Sequence, residues 1–391
     1  MRIALLAPLV SPIAPPFLGG AQAVLYDLAR GLAARGHDVT LFGADGSAVP
    51  GVRMPRLDLD PARFTPARFT PPSSSGAPSA QSPAGATSES DEEEEDEDDV
   101  QQPDEEIFQQ TYAFMHIFRL IATHAREYDL VHAHAFDWPA FAYGTTQPLP
   151  MAHTLHLPPV DARIMHLLAR LAPREGGGRA HLVTVSRALA AAWSATCRID
   201  AVLYNGVDVE RIPFGARADA DRYVLFAGRM APEKGVEDAL AIARRAGLRL
   251  VVAGGVYDQE YFATRVEARI AASPARAAYI GVVPREELWR LMAGATAVLV
   301  PSRWEEPFNL VAAEAQAAGT PVIAYARGGL TEVIADGETG ALVPPGDIDA
   351  AAAALRRVGD YDRAACREWI SSHFSLAAML DAHERYYRTL R

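Results

Sequence analysis

The sequence contains almost no cysteine and no long apolar run. Cys197 and Cys366 are its only cysteines, and they lie far apart in no metal-binding pattern. We therefore expect neither a disulfide framework nor a zinc site. No apolar run reaches the roughly 18 residues that a membrane-spanning helix needs. The apolar start at 1–10 is more typical of a first buried strand than of a signal sequence, so we expect a cytoplasmic protein.

Two common nucleotide-binding motifs are also missing. No Gly-x-Gly-x-x-Gly follows the first strand of either predicted half, which argues against a dinucleotide oxidoreductase. The loop at 228–235, GRMAPEKG, joins a predicted strand to a predicted helix, but it lacks the Gly-x4-Gly-Lys-Ser/Thr spacing of a P-loop. Any phosphate contact in this loop must therefore come from its own charged residues.

Charge is unbalanced in only one segment. Fifteen acidic residues and three arginines lie between Pro55 and Gln110, and they account for the whole formal net charge of −12. The rest of the chain is neutral in sum and indicates no nucleic-acid partner. The segment is rich in Pro, Ser, Ala and Thr as far as Thr87 and acidic beyond, a composition that cannot form a core. We predict a disordered acidic insertion at 55–110, either a solvated spacer or a docking segment for a basic partner.

The remaining sequence predicts two α/β units. It has 391 residues, 49% of them hydrophobic, which is enough for two domains with real cores. Apolar strands alternate with amphipathic helices, beginning with Arg2–Val10 and again with Tyr223–Ala227, as in doubly wound parallel sheets. The predicted division is a first domain at 1–212, a second at 213–370, and a terminal helix at 371–391 that could pack back on the first domain.

The stretch Pro301–Pro321 carries the strongest local pattern. An apolar strand, Ala295–Val300, leads into a charged loop, and Asn309 can cap a helix that stops at Gly319. A strand, loop and helix in this order leave free backbone N–H groups at the carboxyl edge of the sheet. We expect those of Phe308, Asn309 and Leu310 to favour an anionic, oxygen-rich ligand.

Two carboxylates flank this helix start. Glu306 lies in the loop, and Glu314 follows eight residues later inside the helix. The helix rises by roughly 6 Å from its start at Leu310 to Glu314, so Glu306 can meet one end of a ligand and Glu314 its middle. Such spacing suits an elongated polyhydroxylated molecule. It suits a hydrolase acid–base pair poorly, because those two carboxylates lie across one bond. The alternative is that Glu306 only stabilises the helix dipole and that Glu314 is solvated.

Charged and glycine residues elsewhere suggest a matching phosphate site. Arg229 can make a bidentate contact and Lys234 a point-charge contact with a diphosphate, although both could be plain surface residues. In the first half, Gly19 and Gly20 precede a predicted helix and allow either close approach of a ligand or a tight turn.

Histidines follow two strands of the first half. His132 and His134 come at the end of one strand, and Thr154 and His156 at the end of the next. Ligands bind at this edge of doubly wound sheets, so a polar contact in the cleft is expected; a metal pair lacks a third ligand. Ser186 ends another strand, and with Thr154 and His156 it is a candidate for the acceptor side.

The predicted helix Asp161–Leu171 has two interpretations. It carries the apolar residues Ile164, Leu167, Leu168 and Leu171 beside Arg163 and Arg170. Such a helix could lie on a membrane surface as a peripheral contact, or it could face its own core.

Taken together, these motifs resemble the retaining glycosyltransferases of family 4, which have the GT-B fold of two Rossmann-like domains facing across a cleft. The resemblance runs through most of the chain outside the acidic insertion. Its matching residues are Gly19–Gly20, His134, Ser186, Asn205-Gly206-Val207-Asp208, Gly228-Arg229 with Lys234, Glu306-Pro307-Phe308 with Glu314, Gly319-Thr320-Pro321-Val322 and Gly328–Gly329.

The resemblance implies the following roles. The catalytic residues are His134 beside the anomeric centre, Arg229 and Lys234 on the departing diphosphate, and Glu306 on the sugar hydroxyls. The donor-binding residues are Gly19, Gly20, Phe308, Asn309, Leu310 and Glu314, the last of them on the nucleotide ribose. No metal or cofactor is required, and retention is expected to proceed by front-side attack. One departure is Asn309, which stands where the family usually has glycine.

The predicted function is therefore metal-independent, retaining transfer of a hexose from a nucleotide-diphosphate sugar, UDP-linked, to an unidentified acceptor. Two alternatives stay open. One is a different GT-B enzyme, a phosphorylase or a nucleotide-sugar epimerase, and orthophosphate as the acceptor would favour the phosphorylase. The other is a non-catalytic sugar-nucleotide-binding protein, which the acidic insertion alone favours.

Overall fold

In a computed structural model, which describes residues 1–17, 19–57, 105–220 and 222–391, the chain forms two six-stranded sheets. Every strand pair in both sheets is parallel, as the alternation of strands and helices predicts. The strands consist largely of Val, Leu, Ile and Ala and are buried, because helices cover both faces of each sheet. The predicted α/β fold class is confirmed.

The first sheet and its helices form the first lobe. Its strand order is β2-β1-β3-β4-β5-β6. The strands are β1 (Arg2–Leu6), β2 (Asp38–Phe42), β3 (Leu130–Ala133), β4 (Met151–Leu155), β5 (His181–Thr184) and β6 (Ala201–Val202). The helices are α1 (Gly20–Ala34), α2 (Glu105–Thr123), α3 (Trp138–Gly144), α4 (Ala162–Leu171) and α5 (Arg187–Ser194).

The second sheet forms the second lobe, with the order β12-β11-β10-β7-β8-β9. Its strands are β7 (Tyr223–Ala227), β8 (Arg249–Ala253), β9 (Ala277–Tyr279), β10 (Ala297–Val300), β11 (Val322–Tyr325) and β12 (Gly340–Val343). The remaining helices are α6 (Val236–Ala246), α7 (Gln259–Tyr261), α8 (Ala268–Ala271), α9 (Arg285–Gly294), α10 (Leu310–Ala317), α11 (Leu330–Val333), α12 (Ile348–Arg356), α13 (Arg363–His373) and α14 (Leu376–Leu390).

The last helix belongs spatially to the first lobe. Met379, Leu380 and Tyr387 of α14 pack into the core that α1 forms with β1 and β2. A side chain at Gly31 of α1 would collide with Leu380, whose Cδ1 lies 2.7 Å from the position of a Cβ. The chain therefore crosses from the second lobe back to the first before it ends.

Some element ends differ from the predicted ones. β1 stops at Leu6 rather than Val10, because Pro8 cannot donate to the next strand. The run Ala278–Val282 also predicts a strand, but β9 stops at Tyr279, since Gly281 turns the backbone with a φ of 74°. The predicted insertion is also too long: α2 begins at Glu105, and Leu57 lies in the core. The predicted disorder at 58–104 lies outside the described residues.

α4 illustrates how an ambiguous helix is resolved by its neighbours. Ile164 and Leu168 are buried in the core of the first lobe, and Arg163 is exposed. Asp161 caps the helix by accepting from the backbone N–H of Arg163 at 2.8 Å. The apolar side thus faces its own core. Among the described residues, no helix is long and apolar enough to span a bilayer.

Candidate active site between the two lobes

Lys234 and Glu306 meet at the point where the strand order of the second sheet reverses. β7 and β10 are neighbours, and the helices that follow them begin at the same edge, which is where doubly wound sheets bind ligands. The Lys234 Nζ lies 2.7 Å from Glu306 Oε1. The hydroxyl of Ser302 donates to the same oxygen at 2.7 Å. Because Glu306 is only 5% exposed, this ion pair is largely shielded from water.

Close backbone contacts fix the two loops that carry this pair. Gly235, the residue after Lys234, has a φ of 71°, and a Cβ there would lie 1.9 Å from the carbonyl oxygen of Pro301. The backbone N–H of Gly329 donates to the carbonyl of Glu306 at 2.6 Å. A Cβ at Gly328 would lie 2.3 Å from that same carbonyl oxygen. The glycines therefore set the backbone positions of both charged residues.

Asn309 occupies a backbone conformation that suits glycine or asparagine. Its φ is 83° and its ψ is 89°, in the region that other residues rarely adopt. The side-chain Oδ1 accepts from the backbone N–H of Ala312 at 2.9 Å and so caps α10. The amide thus bonds to its own helix. Within the described part of the chain, no acceptor meets the backbone N–H of Leu310 or Val311, so both stay available to a ligand.

We expect Asn309→Ala to lower the free energy of unfolding by about 2 kcal/mol, because it removes the cap and forces alanine into a positive φ. Asn309→Gly is the matched control, because glycine keeps the backbone conformation. We expect it to lower the free energy of unfolding by only a few tenths of a kcal/mol. Urea unfolding of both variants checks this. Equal losses would show that the backbone conformation at this position carries no strain.

Arg229 does not join the Lys234–Glu306 pair. Its guanidinium lies 4.7 Å from the ring centre of Tyr257 and 3.6 Å from the carboxylate of Glu233. Its side chain is 40% exposed. The structure thus brings Lys234 and Glu306 together. Arg229 lies in the same loop as Lys234, but its side chain contacts other residues.

Glu314 is buried, not solvated. Arg285 in α9 donates from Nε to Glu314 Oε1 at 2.7 Å, and from Nη1 to Asp27 Oδ2 of α1 at 2.8 Å. Burial alone would lower the pKa of Arg285, but the two carboxylates outweigh it and raise that pKa. Arg285 and Asp27 were not among the predicted site residues. The available signal was a carboxylate, Asp27, within the apolar face of α1.

The glycine pair of the first lobe approaches the start of α10. A Cβ on Gly20 would lie 3.3 Å from Cδ1 of Leu310, and Leu310 packs against the core of the first lobe. Gly19 precedes α1 in an extended conformation, with a φ of −160°. The loops at the carboxyl ends of the two sheets therefore meet at the start of α10.

The histidines of the first lobe form a buried cluster. Nδ1 of His134 lies 2.9 Å from Nε2 of His156. His132 contacts the hydroxyl of Tyr387 at 2.7 Å through Nδ1 and that of Thr154 at 2.8 Å through Nε2. Both ring nitrogens of His132 are thus engaged, and no group of three metal-ligand residues occurs among the described residues. Thr154, expected on the acceptor side, holds His132 instead.

Ser186 is engaged in helix capping. Its buried hydroxyl oxygen accepts from the backbone N–H of Leu189 at 3.0 Å. The carboxylate of Glu332, from the second lobe, accepts from the next two backbone N–H groups, those of Arg187 at 3.0 Å and Ala188 at 2.8 Å. The start of α5 is therefore a contact between the lobes, and the structure does not join Ser186 to the Lys234–Glu306 pair.

The histidine cluster predicts a pH-dependent stability. Burial lowers the pKa of His132 and His134 well below its usual range, and it lowers those of His156 and His383 to about 4. In the unfolded chain these groups bind protons near pH 6.5. The unfolded state therefore binds more protons between about pH 4 and 6.5, and stability falls as the pH falls, by about 1.4 kcal/mol per pH unit for each proton.

Urea unfolding at pH 6.5 and pH 5 measures this slope. Asp137, whose pKa burial raises to about 6, adds a contribution of opposite sign. The difference in slope between a variant and the parent is free of that contribution, because both contain Asp137. His383→Gln removes one titrating group, so we expect its slope to be smaller than that of the parent by the equivalent of about one proton. An identical slope in His383→Gln and the parent chain would contradict the buried, neutral state of His383.

Comparison with known proteins gives matches over both lobes. A family model described as Glycosyltransferase Family 4 matches residues 18–211, and one described as Glycosyl transferases group 1 matches residues 208–371. Glycogen synthase of Mycobacterium tuberculosis is 28% identical over 95% of this chain and 92% of its own length. D-inositol 3-phosphate glycosyltransferase of Mycobacterium marinum is 31% identical over 58% of this chain and 55% of its own.

Solved structures share the whole architecture. Sucrose-phosphate synthase from Thermosynechococcus elongatus has a TM-score of 0.75 at 22% identity, with 100% of this chain and 99% of that chain covered. HepE from Anabaena, in a complex with UDP, has a TM-score of 0.67 at 18% identity, with 100% of both chains covered. The two family models, the relatives and the two-sheet architecture together identify the chain as a glycosyltransferase with the GT-B fold.

Proposed function

We propose that the chain is a retaining glycosyltransferase of family 4 that moves a hexose from a nucleotide-diphosphate sugar, UDP-linked, to an organic acceptor without a metal ion. The observation that carries the proposal is the Lys234–Glu306 pair, with its carboxylate buried, beside the open N-terminus of α10. It combines a cation for phosphate, a carboxylate for hydroxyl groups and free N–H donors. Structures of HepE from Anabaena hold UDP, UDP with glucose, and UDP-glucose, which supports a UDP-linked donor.

The donor would lie along the edge between β7 and β10. Lys234 and Arg229 would contact the diphosphate from the loop after β7, and Glu306 would accept hydrogen bonds from the sugar hydroxyls. Glu314 would hold the ribose hydroxyls. When the bond between the anomeric carbon and the phosphate oxygen breaks, negative charge grows on the diphosphate. Fixed cations and helix N–H groups stabilise that charge more than the ground state, so they lower the barrier.

Retention would follow from attack on the face that the diphosphate leaves. The acceptor oxygen bonds to the anomeric carbon, and the departing phosphate oxygen takes the acceptor proton. His134 would contribute as a neutral hydrogen-bonding group, because burial lowers its pKa well below the usual range. Its Nε2 is buried and has no hydrogen-bond partner among the described residues, so it could serve a sugar hydroxyl.

The test is to supply UDP-glucose, and the GDP and ADP analogues, with a panel of sugar, inositol and phosphate acceptors. NMR then reads the anomeric configuration of the product. We expect an α-glycoside from an α-linked donor. We also expect the same product to form in the presence of EDTA. A β-glycoside would contradict retention. Loss of transfer in EDTA that is restored by a divalent ion would contradict metal independence. Transfer to orthophosphate alone would indicate a phosphorylase.

Other expectations stay predictions. They include the cytoplasmic location and the division of the chain at 212 and 370. Docking of a basic partner on the acidic insertion also stays a prediction, since residues 58–104 lie outside the described residues.

A further inference from the structure

A chain of alternating charges crosses from one lobe to the other. Asp27 in α1 of the first lobe and Glu314 in α10 of the second lobe both bind Arg285 in α9, at 2.8 and 2.7 Å. The side chain of Asp27 is 1% exposed. In the first lobe this series of alternating charges continues, since Arg30 lies 3.6 Å from Asp27 and 2.8 Å from Asp208.

The position of Arg285 depends on both lobes. A guanidinium has donors in a fixed fork, so one Arg can serve two carboxylates that lie on different elements. The guanidinium carbon of Arg285 also lies 4.9 Å from the ring centre of Trp289. If the lobes separate, Asp27 leaves and Arg285 keeps only Glu314. The orientation of Glu314 is therefore tied to the closed arrangement of the lobes.

Only one oxygen of Glu314 is used in this contact. Arg285 binds Oε1, and no hydrogen bond to Oε2 is present within the described part of the chain. A ribose has two neighbouring hydroxyls that can donate to a carboxylate oxygen. Fixing one oxygen of a carboxylate orients the other, in the way that outer partners orient the ligands of a metal.

We infer that Arg285 is a positioning residue that couples closure of the lobes to nucleotide binding. It holds Oε1 of Glu314 so that Oε2 meets the ribose, and Asp27 of the opposite lobe keeps it in place. This inference rests on the proposed function, which gives Glu314 to the nucleotide. Coupling of this kind is reciprocal: the nucleotide favours closure by the same factor by which closure favours the nucleotide.

Asp27→Asn tests the coupling from the lobe opposite Glu314. We expect the Kd of UDP, measured by calorimetry, to rise about tenfold, within the range typical of coupled sites. Small-angle scattering should show a larger radius of gyration without UDP, and saturating UDP should restore the parent value. Loss of a purely structural contact would not be reversed by the nucleotide.

Two further variants sharpen the test. Asp381→Asn is the matched control, because it removes an Arg–Asp contact at the end of the same helix, 2.6 Å from Arg35, without involving the second lobe. It should leave the Kd and the radius unchanged. Arg285→Lys keeps the charge but not the fork, so it should resemble Asp27→Asn. It also keeps the test decisive if Asp27→Asn fails to fold.

The outcomes separate the two claims. If the parent chain binds none of UDP, GDP and ADP, the proposed function fails, and this inference fails with it. If the parent binds one of them, and Asp27→Asn or Arg285→Lys binds it equally with an unchanged radius, the inference alone is overturned. A weaker Kd together with a radius that the nucleotide restores would support it.

Discussion

Lys234→Ala should lower kcat/KM for sugar transfer by about three orders of magnitude, the upper end of what one fixed electrostatic group contributes. The ammonium of Lys234 lies 2.7 Å from buried Glu306, in a position to meet charge on a departing diphosphate. Its removal withdraws that charge and leaves Glu306 without its cation. Release of the nucleotide diphosphate, followed at saturating acceptor, measures the loss.

The controls separate chemistry from folding. Lys234→Arg keeps the charge but changes its shape, so we expect an intermediate loss. Arg229→Ala should cost less than Lys234→Ala, because Arg229 is more exposed and bonds elsewhere. Circular dichroism and urea unfolding should be close to those of the parent for Arg229→Ala. Turnover within threefold of the parent in Lys234→Ala would remove this residue from the site.

Gly235→Ala is expected to be severely damaging to the second lobe. A Cβ at this position would lie 1.9 Å from the carbonyl oxygen of Pro301, and the φ of 71° is unfavourable for alanine. The loop after β7 must then move away from the loop after β10, which separates Lys234 from Glu306. We expect a loss of at least about 3 kcal/mol in the free energy of unfolding together with loss of transfer.

Gly247 provides the matched control at the other end of α6. Its φ is 77°, nearly that of Gly235, but a Cβ there would meet no atom within 4 Å. Gly247→Ala therefore shares the backbone strain and lacks the collision, and it should cost only about 1 kcal/mol with normal transfer. Similar losses in the two variants would mean that backbone strain, and not the approach to Pro301, decides the effect of Gly235→Ala.

Local sequence patterns were sufficient for the fold and for the central pair. The apolar runs Asp38–Phe42, Tyr223–Ala227 and Arg249–Ala253 predict strands with the ends that β2, β7 and β8 have, because such runs, bounded by polar or glycine residues, define buried parallel strands. Lys234 and Glu306 could be placed together because each follows a strand in the second half. The position of both strands at the reversal of the strand order then brings their loops into contact.

The contacts of other residues could not be predicted, because their partners are distant in sequence. Arg285 and Asp27 are 258 positions apart, and nothing local to either indicates the other. Thr154 bonds to His132 of the neighbouring strand, a contact that the sequence did not indicate, while its place on the acceptor side stays a prediction. The cap that Asn309 makes on α10 is local, by contrast, and the sequence pattern predicted it.

Lys234 is the only lysine of the chain, so an amine-specific acylating reagent can modify only this side chain and the N-terminal amine. Mass spectrometry of the acylated protein, with and without UDP, therefore tests most directly whether Lys234 holds the diphosphate. We expect UDP at 100 times its Kd to slow acylation of Lys234 by at least about tenfold, while the N-terminal amine reacts as before. Equal acylation of Lys234 with UDP bound would contradict it.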